Sequence, residues 1–191
     1  MLAFADPVHA SQGTFRVVME ALARPGTVVP IPAIVWEPPL HPAAAAVALT
    51  LLDYETPVWL DRGLASAPGL TDWFRFHTGA PLIADPGRAA FAFVADAAQA
   101  PPLDAFSLGT MEYPDRSTTL VLQVESFSAG ERFTLSGPGI ARTQSFTVDP
   151  LPGDFRAQLI ANRERFPRGV DVILVTDDAI AALPRSVRVM D

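Results

Sequence analysis

The side chains able to do chemistry are few, and their spacing limits what they could do. The three histidines, His9, His41 and His77, lie in separate segments. None stands three or four residues from another, so no pair shares a helix face toward a metal ion. His9 and His41 read as helix entries beside Pro7 and Pro42. His77 ends the aromatic run WFRFHTG, where a helix C-terminus would favour an imidazolium through the dipole more readily than it would set up acid–base work. There is no G-x-S-x-G elbow. Ser117, Ser136 and Ser186 would be nucleophiles only with a base beside them, which spacing does not supply. Asp177 and Asp178 read as a turn at a strand end before a metal site.

Arginine is the more suggestive residue. All 14 basic residues are arginine, and lysine is absent. Arg24 precedes Pro25–Gly26, Arg116 leads into Ser117–Thr118, and Arg185 follows Pro184. An abrupt turn fixes where a guanidinium points, and a fixed guanidinium suits an oxyanion. Arg116 with Ser117 and Thr118 could grip a phosphate through charge-assisted hydrogen bonds. Each arginine equally suits a salt bridge. The remaining candidate is TLSGPGIART, Thr134–Thr143, in which Ser136, Gly137 and Gly139 surround Pro138. Backbone N–H groups of a glycine loop can bind an anion. Here Pro138 lacks an N–H and no helix follows to lend its dipole. Strands flank the loop, so an ordinary hairpin turn is the first reading and a ligand loop the second.

Composition removes whole classes of function. Without lysine there is no internal Schiff base for pyridoxal phosphate and no Walker lysine. Without cysteine there is no thiolate nucleophile, no disulfide and no self-held iron–sulfur cluster. The net charge of −7 lacks the electrostatic footprint of a nucleic-acid binder. No apolar run reaches the roughly 18–20 residues that cross a bilayer. The opening MLAFADPVHASQ has neither a basic start nor a long apolar core. The expectation is a cytoplasmic protein, off the membrane, with residues 1–191 as one domain.

The elements that must position these residues follow from periodicity. SQGTFRVVMEALARPG predicts a helix starting near Ser11 or Asp6, with Phe15, Val18, Met19 and Leu22 as its inward stripe and Pro25–Gly26 as its stop. VVPIPA is too rich in proline for a central strand. HPAAAAVALTLLD and LTDWFRFHTG predict two more helices, the latter over Thr71–His77 and closed by Gly79. ETPVWL, AAFAFVAD, STTLVLQVESF, ERFTLS, RTQSFTVD and GVDVILVT predict strands. PPLDAFSLG holds one helical turn, and PGDFRAQLIANRERF is a helix with Phe155, Leu159 and Phe166 inward. AIAALPRSVRVM closes as one further strand with Pro184 near its end. The expected fold is α/β: a three-layer sandwich with a mixed sheet and helices on both faces. A chain this short of reactive groups points to binding or assembly rather than to turnover of its own.

Taken in order, the segments DPVHASQGTFRVVMEALARPG, LTLLDYETPVWL, FHTGAP, EYPDRSTTLVLQV, LSGPGI, FPRGVDVILV and ALPRS resemble the PhnH family, a subunit of the bacterial carbon–phosphorus lyase complex. The resemblance runs from Phe4 to Val189 and rests on the ordered set, since no single motif is specific. It implies a role in breakdown of organic phosphonates. It implies a fold similar to the large domain of pyridoxal phosphate-dependent transferases without the cofactor site, with which the missing lysine independently agrees. It implies a homodimer joined to PhnG, PhnI and PhnJ, in a complex that places a phosphonate on the ribose of ATP and displaces adenine. Later radical cleavage of the C–P bond uses S-adenosylmethionine and an iron–sulfur cluster carried by PhnJ, which a cysteine-free chain could not supply. The resemblance carries over no catalytic residue and no cofactor. Its signature stretches Arg24–Gly26, His77–Gly79, Arg116–Thr118, Ser136–Ile140 and Arg185–Ser186 are candidates for ligand or subunit contact. The resulting expectation is a non-catalytic or accessory subunit. The alternative is a subunit whose arginines bind ATP or phosphonate directly.

Overall fold

A computed structural model describes residues 7–32 and 39–190. Its elements, in chain order, are α1 (Pro7–Ala23), β1 (Val29–Pro30), α2 (Pro42–Leu51), β2 (Val58–Leu60), α3 (Arg62–Ala65), α4 (Leu70–Thr78), β3 (Phe91–Val94), β4 (Thr119–Gln123), β5 (Ser126–Ser136), β6 (Gln144–Asp149), α5 (Phe155–Glu164), β7 (Asp171–Val175), β8 (Ala179–Leu183) and β9 (Arg188–Met190). The main sheet runs β1-β8-β7-β4-β3-β2. β2, β3, β4 and β7 are mutually parallel, whereas β8 and then β1 add on antiparallel.

The continuous apolar strands explain this sheet. Strands apolar on both faces must be covered twice. Phe93, Val121, Ile173, Ile180 and Ala182 face one core, while Val94, Leu120, Leu122, Val172, Leu174 and Leu183 face the other. The first face is covered by α1 to α4, through residues such as Val18, the Ala43–Ala48 run, Leu64, Trp73 and Phe74. Phe74 meets Trp73 and Phe93 edge-on at centroid distances of 5.2 and 5.4 Å. Buried rings of this size each contribute about 1.5–3 kcal/mol through area removed from water.

The second face departs from the expectation of helices. It carries α5, through Phe155 and Leu159, beside a three-stranded sheet ordered β6-β5-β9. The reason lies in the alternation of ERFTLS and QSFTVD. Phe133, Leu135, Phe146 and Val148 are buried between more exposed neighbours. Such a ribbon has one apolar face and must lay it on something.

Four other details correct the periodicity reading. α1 begins at Pro7, and Asp6 lies outside the described residues. Its buried face is Thr14, Val18 and Ala21, with Leu22 partly buried, whereas Phe15 and Met19 are 50% and 48% exposed. Small residues win there because α1 packs on α2, whose buried side is almost all alanine. Phe166 is half exposed, beyond the end of α5. Pro184 splits the C-terminal segment into β8 and β9, which join different sheets. Proline in β1 sits on the sheet edge, where a missing donor is tolerated; the Ala33 end of VVPIPA lies outside the described residues.

Candidate functional site

Four of the five signature stretches are linked in series: Arg185 binds Ser117, Ser186 abuts Gly137, and Gly139 abuts the 23–26 turn. β8 ends at Leu183 and Pro184 turns the chain, so Arg185 projects beside the start of β7. Its backbone N–H donates to Asp171 Oδ1 at 2.8 Å. Its Nε donates to both carboxylate oxygens, at 3.1 and 3.2 Å. One Nη donates to the Pro114 carbonyl, and the other to Ser117 Oγ and Asp171 Oδ2. The side chains of Arg185 and Asp171 are only 14% and 21% exposed. The guanidinium therefore ties the amino ends of two parallel strands to the end of β8 and to the loop before β4. It is engaged on every side by its own chain, and the bidentate contact with Asp171 makes it a strong charge-assisted link.

Arg116, Ser117 and Thr118 do not act as one grip. Arg116 turns outward and stacks over the Tyr113 ring at 4.1 Å. Ser117 and Thr118 turn inward and are buried. Thr118 Oγ1 donates to the Ala89 carbonyl at 2.6 Å and accepts from the Ser107 N–H at 3.1 Å. Arg24 is exposed and pairs with Glu20 one helical turn back, at 2.9 Å.

The glycine loop is the β5–β6 turn, closed by the Ile140 N–H to the Gly137 carbonyl at 3.1 Å. Its glycines serve close backbone approach. Gly139 has φ 83°, and a Cβ there would overlap the Ala23 carbonyl oxygen. Gly26 has φ 74°, and a Cβ there would fall 2.6 Å from Leu135 Cδ1. A Cβ on Gly137 would come 3.1 Å from the Ser186 carbonyl. Ser136 pairs with Arg188 in the β5–β9 register, and its hydroxyl donates to Met190 Sδ at 3.1 Å. The turns at 23–26, 136–140 and 185–186 are thus interlocked, backbone on backbone.

His77–Gly79 stands apart, on the helical side. Gly79, at φ 71°, closes α4 by donating to the Arg75 carbonyl at 3.0 Å. The His77 ring lies between Trp73 and Phe76, at 5.2 and 5.0 Å. Its Nε2 is buried without a hydrogen-bond partner. Burial lowers its pKa below the ordinary histidine value. Desolvation thus disfavours the imidazolium expected at this helix end.

Sequence reasoning missed three residues that organise the interior. Asp171 opens an apolar strand and holds Arg185. Asn162 is buried on α5 and makes a two-way clamp with Val170, both bonds at 2.9 Å. Gln123 accepts from the His41 N–H at 2.7 Å and donates to the Pro39 and Ala95 carbonyls. The available signal was a single polar residue inside or beside an otherwise apolar run. His41 enters α2 as expected, and its Nδ1 lies 3.6 Å from Asp177. Among the described residues, no group of three or more histidines, aspartates or glutamates converges as a metal site. A cleft of about 360 Å³ lies elsewhere, lined by Pro57, Ile83, Ala84, Asp85 and Arg88, and includes none of the signature residues.

Comparison with known proteins fits this ordered set of turns. The profile of the family described as bacterial phosphonate metabolism protein (PhnH) matches residues 2–190. The alpha-D-ribose 1-methylphosphonate 5-triphosphate synthase subunit PhnH of Rhizobium meliloti (strain 1021) is 44% identical over 189 residues, covering 97% of this chain and 93% of that protein. The putative C-P lyase subunit protein HtxG of Stutzerimonas stutzeri is 35% identical over 82 residues, 43% of this chain and 42% of that one. With a match spanning nearly every residue, the chain belongs to the PhnH family of bacterial phosphonate metabolism proteins.

Proposed function

We propose that this chain is a non-catalytic subunit of a carbon–phosphorus lyase complex, supporting transfer of a phosphonate onto the ribose of ATP with displacement of adenine. The observation that carries the proposal is the state of the signature residues. Arg185 is held by Asp171, Ser117 and Pro114, and the glycines of the loop are pressed against the 23–26 and 186–188 backbone. Groups so engaged shape a scaffold and leave chemistry to companions. The relative named as a synthase subunit and the one named as a putative C-P lyase subunit support the same setting. Within it, the chain acts in the cytoplasm as a homodimer beside PhnG, PhnI and PhnJ and binds no cofactor itself. The likeness of its fold to pyridoxal phosphate-dependent transferases belongs to the same proposal.

Co-expression tests it. Omitting this chain should leave PhnG, PhnI and PhnJ unable to form a stable, fully active complex. A complete and active complex without it would end the proposal. The competing reading, direct binding of ATP or phosphonate, rests on Arg116, which is exposed and free of any carboxylate partner among the described residues. Calorimetry with ATP and with phosphonates on the isolated chain separates the two. A binding heat lost in Arg116→Ala favours direct binding, and no heat favours the scaffold.

A further inference from the structure

α1 carries two apolar faces, and only one of them is used inside the chain. Thr14, Val18 and Ala21 are buried where the helix packs on α2 and on the β8 edge of the sheet. The other face bears Val8, Gln12, Phe15 and Met19, and it is open. Val8 is 64% exposed, and Phe15 and Met19 are half exposed. Single exposed apolar side chains are ordinary, but three in line on one helix face form a stripe. A groove of about 290 Å³ runs beside it, lined by Ser11, Gln12, Phe15, Arg16 and Thr50. Phe15 is thus both the ridge of this surface and a wall of its recess.

Spacing identifies what covers the stripe. Its gaps are four, three and four residues, so it reads the same from either end. A copy of α1 laid antiparallel therefore matches it at every position. Val8 meets Met19 of the second copy and Gln12 meets its Phe15, and the reverse pairs repeat across the two-fold axis. Phe15 of each copy stands over Gln12 of the other, at the groove, as a knob enters a hole. The two Gln12 amides flank the axis, and an amide can both donate to and accept from its like. One polar position within an apolar seam fixes register. Charge agrees with the antiparallel sense. The first turn of α1 has no acidic residue. The pairing brings Glu20 of the second copy to that turn, where the positive end of the helix dipole favours it. The two Arg16 side chains are offset by about 7.5 Å along the axis instead of opposed.

We propose that the face of α1 bearing Val8, Gln12, Phe15 and Met19 is the surface through which two copies of this chain pair, antiparallel about a two-fold axis. The proposal rests on the homodimer within the reading above and gives it a surface and a register. An unlike partner would need a matching row of its own, whereas a second copy brings one by symmetry.

The test uses the full, isolated chain in sedimentation equilibrium across micromolar concentrations. The wild type should be dimeric. Phe15→Glu should weaken pairing at least about 100-fold, because symmetry removes two anchors at once. Its circular dichroism should match the wild type, since Phe15 is half exposed. The chain has no cysteine, so single cysteines report register without background. With a short bismaleimide, Gln12→Cys should cross-link to itself. Val8→Cys alone should not, its two copies lying about 16 Å apart along the axis, but Val8→Cys mixed with Met19→Cys should. If Phe15→Glu fails to fold, the cross-linking pattern decides. A dimer that Phe15→Glu leaves intact, or cross-linking at Val8 alone in place of Gln12, overturns this surface and leaves the homodimer standing. A monomeric wild type overturns both, while the co-expression test of the subunit reading is unaffected. If that monomer joins PhnG, PhnI and PhnJ and its Phe15→Glu variant does not, the stripe belongs to another subunit and pairing with a second copy is overturned.

Discussion

Arg185 and the Arg163–Arg168 pair are alike in type and in half-burial, yet opposite in what surrounds them. Arg185 meets a carboxylate, a hydroxyl and a carbonyl of its own chain. Arg163 and Arg168 meet no carboxylate among the described residues, and each keeps one shielded N–H unbonded. The difference teaches that the position of an arginine at a turn does not by itself say what its guanidinium meets. Its partners within the chain decide how firmly it is held.

The sharpest way to break that contrast is Arg185→Ala. It strands the Asp171 carboxylate in a partly buried site and leaves Ser117 and Pro114 without their donor. Removing one partner of such a pair costs about 3–5 kcal/mol, so the urea midpoint should fall steeply. Arg185→Lys should recover only part, because an ammonium cannot reproduce the fork. A midpoint unchanged in Arg185→Ala would mean the joint is not a staple.

Next in size is the glycine loop. Gly139→Ala combines a positive φ with overlap on the Ala23 carbonyl, and should destabilise by about 1–3 kcal/mol. Gly13 in α1 has open space around it, so Gly13→Ala should raise stability by roughly 0.5–1 kcal/mol. Thermal unfolding of the two variants checks the opposite signs.

A smaller effect is expected on the helical side. The folded pKa of His77 lies below its ordinary value of 6.5. The unfolded chain therefore binds this proton first as pH falls. The stabilisation is full above the unfolded value and is lost as pH drops through and below that range. His77→Gln should flatten this part of the stability–pH curve, and an unchanged acid limb would remove His77 as its source. A loss of roughly 0.5–1 kcal/mol is expected for Arg163→Gln, which removes the stacking on Phe166 but breaks no salt bridge. That modest loss, set beside the drop for Arg185→Ala, would sharpen the contrast between an arginine paired with a carboxylate and one that is not.

Much of the scaffold was legible because its strands are continuous apolar runs. The β7 run DVILV and the β3 run FAFV admit little but burial on both faces. The facing of α1 was not legible, because apolar residues at 15, 17, 18, 19 and 22 offer two overlapping stripes. The alanine surface of α2, a fact of another segment, chooses between them. The hairpin position of the loop was legible from its flanking strands. What lay hidden was why its glycines are needed, because the Ala23 carbonyl they admit is more than a hundred residues away in the chain. Asp171 likewise shows nothing in sequence of its bond to Arg185, since strand pairing alone brings them together.

The most direct test of the account is phosphorus NMR of the isolated, folded chain incubated with ATP and methylphosphonate. The scaffold reading predicts that both spectra persist unchanged until partner subunits are added. A new phosphorus species formed by the chain alone would contradict it.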